Sequence, residues 1–230
     1  MRHRAILRSL VLLLPGLLLA GAAAAHGVAD DDKLFLEASA GTQLLPFLYL
    51  GAKHMVTGYD HLLFLFGVIF FLYRLRDVGL YVTLFAVGHS STLLYGVLSG
   101  THVNPYLVDA IIGLSVVYKA LENIGAFKRM GLNIEPRAAV LLFGLAHGFG
   151  LSTKLQDFSL SEDGLVPNML AFNVGVEIGQ LLALAGILIA MGFWRRSSVF
   201  ARQAFAANAL LMTAGFVLTG YQLAGYFQAA

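Results

Sequence analysis

Imidazole and carboxylate side chains interrupt segments of this chain that are otherwise apolar: His54, Asp60 and His61, then His89, His147 and Glu177. Neutral imidazole nitrogen and carboxylate oxygen are donors for divalent first-row metal ions. The chain has no cysteine. Thiolate sites, disulfide frameworks and cysteine nucleophiles are therefore excluded together, and a bound metal must be held by nitrogen and oxygen. Asn173, Glu177 and Gln180 are spaced i, i+4, i+7 and share one helix face. A carboxylate at bilayer depth costs about 2.5–3.5 kcal/mol, so Asp60, Asp109 and Glu177 together cost roughly 8–10 kcal/mol without compensation. A metal ion is a partner that would supply it.

The elements that must position these groups are membrane helices. Of 230 residues, 58% are apolar and 12% charged, and the mean hydropathy is +0.77. Soluble domains carry about a quarter charged residues, so the composition is that of an integral membrane protein. The formal charge of +2 gives no sign of a nucleic-acid partner. Stretches 46–73, 78–99, 105–125, 138–155, 168–193 and 203–226 are each near the length of about 20 residues that crosses the hydrocarbon. Turn and polar residues separate them, and nothing is left over for a soluble domain. The sequence predicts an all-α bundle over 46–230, with about six transmembrane helices.

Residues 1–25 have the pattern of a secretory signal peptide, with Arg2, Arg4 and Arg8, an apolar run from Leu10 to Leu19, and small residues from Ala22 to Ala25. Cleavage after Ala25 leaves His26 at the mature N-terminus, where amine and imidazole can chelate a cation. Residues 26–45 then form an N-terminal segment outside the membrane, carrying Asp30, Asp31 and Asp32. Basic residues fix the orientation. Arg74 and Arg76, then Lys128, Arg129 and Arg137, then Arg195, Arg196 and Arg202 occupy alternate connections. The intervening ones hold no Lys or Arg at 100–104, and Lys154 against Asp157, Glu162 and Asp163 at 154–167. The basic loops are expected in the cytoplasm of a bacterial cell and both termini in the periplasm, across the inner membrane.

That orientation brings polar groups from separate spans to one level in the outer half of the bilayer. His54 lies about 10 Å of helical rise before His61, whereas two nitrogens on one ion are at most about 4 Å apart. Either the helix is broken near Gly58, or His54 belongs to a second, outer site. On spacing, His54 stands apart from an Asp60–His61 centre. His89 lies in Gly88-His89-Ser90-Ser91-Thr92, and His147 among Gly144, Gly148 and Gly150, which allow close backbone approach or local unwinding. Gly175 and Gly179 form a small-xxx-small packing pair. Lys119 and Glu122 can pair at i, i+3, and Asp109 is an outer-side carboxylate.

Several runs resemble the HupE/UreJ family: His54 to His61 followed by Leu-Leu-Phe-Leu, Gly88-His89-Ser90 with Thr92-Leu93, Phe143 to Gly148, and Asn173-Val-Gly-Val-Glu177-Ile-Gly-Gln180. The resemblance implies a six-helix membrane protein with a cleaved signal, associated with nickel or cobalt uptake and with metalloenzyme maturation. It implies that His54, Asp60, His61, His89, His147 and Glu177 carry the metal pathway. Two positions depart from the pattern. Phe149 and Gly150 follow His147-Gly148 where nickel permeases have a glutamate, and Asp109 stands where close relatives have Glu. Nickel, cobalt, zinc, copper and iron all stay open.

The expected function is a permease rather than an enzyme, taking a divalent ion from outside and binding it through His54, Asp60, His61, His89, His147, Asn173, Glu177 and Gln180. The alternatives are an intramembrane metal-dependent hydrolase, using zinc with Glu177 or Asp60 as general base, and a non-transporting metal sensor. The inner half reads as dry. Only Thr83, Ser115, Tyr118, Lys119 and Asn208 offer polarity there. No nucleotide-binding loop is present, so transport would draw on a gradient, the membrane potential or a partner.

Overall fold

A computed structural model describes residues 41–156 and 161–229. The signal peptide, His26 and the aspartates at 30–32 lie outside the described residues. The described chain forms helices α1 (Leu44–Thr57), α2 (Tyr59–Ile69), α3 (Leu75–Ser99), α4 (Pro105–Asn123), a short α5 (Ala126–Arg129), α6 (Pro136–Gln156), α7 (Leu165–Arg195) and α8 (Phe200–Ala229). No strand occurs among the described residues. Four helices, α3, α6, α7 and α8, are long and apolar enough to cross a membrane.

Local chemistry explains the ends. Asn104 caps α4, its Oδ1 accepting from the Leu107 amide at 3.2 Å, with Pro105 opening the helix. Gly100 closes α3 in the left-handed region at φ 65°, where a side chain would be strained. The Asn168 side chain accepts from the Gln43 amide at 2.7 Å and donates to the Gly41 carbonyl at 2.9 Å, pinning the start of α1 to the start of α7.

Stretch 46–73 is not one helix, and of the two alternatives that the His54–His61 spacing leaves open, the break near Gly58 is the one that occurs. The chain breaks at Gly58, whose backbone is extended (φ −71°, ψ 102°), so α1 and α2 are separate segments. Gly58 is required here for space rather than for its φ. A Cβ at this position would lie 2.8 Å from His61 Nδ1 and 3.1 Å from Asp60 Oδ1. Helix α2 spans about 16 Å at 1.5 Å per residue, roughly half the hydrocarbon thickness. It is also the most central element, touching α1, α3, α4, α7 and α8.

Around α2 the remaining long helices associate closely in pairs, α1 with α7, α3 with α6, and α4 with α8. Each pair meets through glycine on both partners. A Cβ on Gly175 would fall on the Leu48 carbonyl and one on Gly51 on the Phe172 carbonyl. Gly88 and Gly144 face the Leu141 and Phe85 carbonyls across α3–α6, and Gly113 and Gly215 face one another's helices across α4–α8. Apolar burial gives helices little reason to associate within lipid, so close van der Waals contact between small residues takes its place. The glycines beside His147 thus serve close approach. Helix α6 runs through them without unwinding.

The polarity of the bundle is inverted relative to a soluble protein. Leu45, Leu142, Leu182, Ile189, Phe193 and Phe205 are exposed, while Asp60, His61, His89, Asp109, Lys119, His147, Gln180 and Asn208 are buried. A soluble chain would do the reverse. The end carrying Tyr73, Lys128, Arg137 and Arg196 is called the basic end below, and the end carrying 100–104 and 161–164 the acidic end.

Candidate metal centre

The break at Gly58 decides the geometry of the centre. It turns the last residues of α1 back toward α2, so the His54 and His61 rings lie 5.2 Å apart, centroid to centroid. The expectation that His54 stands apart is therefore corrected. It assumed an unbroken helical rise between the two histidines, and the chain does not rise continuously there.

His61 is the hub of a four-histidine cluster. Its ring lies 5.0 Å from that of His147 on α6, 5.7 Å from that of His89 on α3 and 5.2 Å from that of His54 on α1. Two imidazoles on one tetrahedral ion place their centroids about 5 Å apart, given metal–nitrogen bonds of about 2.0–2.1 Å. The rings are thus at the right separation, with His61 common to all three pairs. Among the described residues, no three His, Asp or Glu side chains already converge on one point as ligands. Rotation of the imidazoles would have to aim them.

Hydrogen bonds assign the nitrogens. His61 Nδ1 lies 3.1 Å from Asp60 Oδ1, and both residues are buried. That contact makes Nδ1 the protonated position in a neutral ring and leaves the lone pair on Nε2. His147 Nδ1 lies 2.7 Å from the Phe143 carbonyl, which fixes the same tautomer. An imidazole anchored through one nitrogen to a carboxylate or carbonyl is the usual state of a metal-ligating histidine. Asp60 in this arrangement orients His61. His54 Nε2, His61 Nε2 and both ring nitrogens of His89 are buried with no hydrogen-bond partner. Each unsatisfied buried polar atom costs about 1–3 kcal/mol, so their concentration at one place calls for a ligand.

The framework around the cluster is rigid. Gly148 packs against the His89 carbonyl, and the Thr92 hydroxyl donates to the Leu145 carbonyl at 2.7 Å, locking α3 to α6 beside His89 and His147. Toward the basic end Phe85 and Phe64 lie against the cluster, 5.0 Å and 5.5 Å from the His147 ring, and 5.2 Å from each other. This apolar floor keeps the local dielectric low, which strengthens any charge interaction made above it.

The other residues singled out from the sequence fall in different places. Gln180 is buried, donates to the Val82 carbonyl at 3.3 Å, and lines a small cavity together with His61. Asn173 donates to the Met169 carbonyl at 3.1 Å, while its buried Oδ1 has no partner. Glu177 is half-buried and accepts from Ser90, the neighbour of His89, at 3.4 Å. Asp109 pairs instead with Lys154 of α6, at 2.8 Å and 3.0 Å through its two oxygens. Lys119 and Glu122 form the expected i, i+3 pair at 2.8 Å.

Two features were not anticipated. Arg195 of α7 donates to the carbonyls of Ile69, Phe70 and Leu72, at 2.8 Å and 3.0 Å for the last two, and so satisfies the chain at the end of α2. Asn123 bridges the Gly67 carbonyl and Asn208, both at 2.9 Å. Asn208 carried a signal in the sequence as an amide in an apolar run. Arg195 carried none beyond its place among loop cations.

Helices of membrane length, an inverted polarity and a buried histidine cluster define a helical membrane protein with an intramembrane polar centre. The chain matches the family described as HupE / UreJ protein over residues 30–230, and it belongs to that family. No curated protein and no solved structure matches it.

Proposed function

We propose that this protein is a permease for a divalent transition-metal ion, with nickel or cobalt as the cargo its family membership favours. In this reading α1–α2 and α4 complete about six membrane crossings with the four long apolar helices. The basic end faces the cytoplasm by the positive-inside rule. The ion enters from the acidic end and is held by His54, His61, His89 and His147, with Asp60 orienting His61. Asn173, Glu177 and Gln180 flank the route on α7. One observation carries the proposal: His54 and His89, with buried imidazole nitrogens that have no hydrogen-bond partner, flank His61, which is anchored to a carboxylate through Nδ1 and has its own buried Nε2 without a partner. A half-membrane helix that ends at a binding site is also a recurring transporter device.

Purified protein in lipid vesicles enclosing a metal-sensitive dye tests this directly. Nickel or cobalt added outside should enter vesicles that contain the protein and stay out of protein-free ones. Protein that binds the ion yet gives no entry above the protein-free rate would contradict transport.

A further inference from the structure

A small cavity beside His61 has neighbours of both the histidine cluster and a second polar cluster in its lining. His61 and Gln180 line it together with Tyr81, and the rest of the lining is apolar, including Phe64 and Phe85. Lys119 Nζ sits 5.9 Å from the centre of that same Tyr81 ring and pairs with Glu122 at 2.8 Å. The lysine side chain is 3% exposed and the glutamate 26%. Beside the pair, Asn123 and Asn208 tie α4 to α2 and α8. The half of the bundle that reads as dry in sequence therefore ends in a charged pair.

A buried ammonium ion is a poor neighbour for a divalent cation, because like charges at low dielectric repel strongly. Lys119 is set against Tyr81, a ring that lines the same cavity as His61. Its partner Glu122 is more exposed and carries the carboxylate a cation would seek. We propose that Lys119 and Glu122 form a charge gate at the basic end, in which Lys119 bars the cation and Glu122 receives it when the ammonium is displaced. The gate rests on the permease reading. The cation and the Lys119 ammonium compete for one carboxylate, so opening requires exchange of one counter-charge for the other.

The test uses the full chain in vesicles, with nickel or cobalt flux normalised to the ion-binding capacity of each preparation. Glu122→Gln strands the Lys119 cation, and flux should fall by about tenfold or more while metal affinity at the histidines stays within about threefold. Lys119→Met/Glu122→Gln removes both charges and should restore flux to within about threefold of the parent, because the barrier leaves with its partner. Lys119→Met alone leaves Glu122 without its cation, and titration should reveal an additional, weaker metal site. Unchanged flux in Glu122→Gln, or a double variant as slow as the single, overturns the gate. So does a Lys119→Met variant with unchanged binding stoichiometry. If the parent protein carries no ion, the permease reading and the gate fall together; if it carries ions and only these variants disagree, the gate alone falls.

Discussion

His61→Ala should abolish stoichiometric binding of nickel or cobalt, weakening it by at least about 100-fold, while the protein stays folded. The expectation follows from the position of His61 as the ring shared by every close histidine pair in the cluster. Removing it leaves His54, His89 and His147 without their common neighbour. Asp60→Asn should have a smaller effect, about 10–100-fold, which is typical when the partner of a metal-ligating histidine is changed. Isothermal titration of purified protein reads both. The ordering is the discriminating result. If Asp60→Asn weakens binding more than His61→Ala, the carboxylate is the principal ligand and the roles assigned here are reversed.

Gly175→Val should damage the protein as a whole. The added side chain would be driven into the Leu48 carbonyl, and backbone cannot move aside as a flexible side chain can. Overpacking costs about 1–3 kcal/mol, occasionally more, which at roughly 2–4 °C per kcal/mol lowers the unfolding temperature by about 6–12 °C at the upper end of that cost. Helix α1 should separate from α7 and carry His54 away from His61, so metal binding should weaken as well. Gly186→Val is the control on the same helix, because a Cβ there meets nothing within 4 Å. Thermal unfolding in detergent separates the two. Equal stability of both variants would show that the α1–α7 contact is not what holds this face together.

Much of the helical framework was legible because its punctuation is local. Asn104-Pro105 starts a helix, Gly100 ends one, and the predicted stretches from 78 onward agree with helices α3, α4, α6, α7 and α8 to within a few residues. The small-residue pair Gly175 and Gly179 was legible for the same reason, and both face carbonyls of α1. The break at Gly58 was legible only as one of two alternatives. A single glycine in an apolar run permits a break without requiring one, and the rise of a continuous helix puts His54 out of reach of His61.

Position along a span gives an expected level, but rotation about the helix axis cannot be read from it. The sequence places Glu177 near the level of the histidines and Asp109 on the outer side, and level alone does not say what each faces. Asp109 faces Lys154, a cation from another helix, and Glu177 faces Ser90. His89 and His147 were readable because Gly88 and Gly148 mark the faces on which α3 and α6 meet, and each histidine adjoins one of these glycines. The Lys119–Glu122 pair was visible as an i, i+3 spacing. Its nearness to the lining of the cavity beside His61 was not, because that depends on Tyr81 from a different helix.

The central claim is that the histidine cluster around His61 binds a divalent metal ion. X-ray absorption at the metal edge, on purified protein loaded with one equivalent of nickel or cobalt, tests it most directly. The expected spectrum shows at least about two imidazole nitrogens at roughly 2.0–2.2 Å, and the imidazole signature disappears in His61→Ala. A shell made only of oxygen, or a spectrum that His61→Ala leaves unchanged, would contradict it.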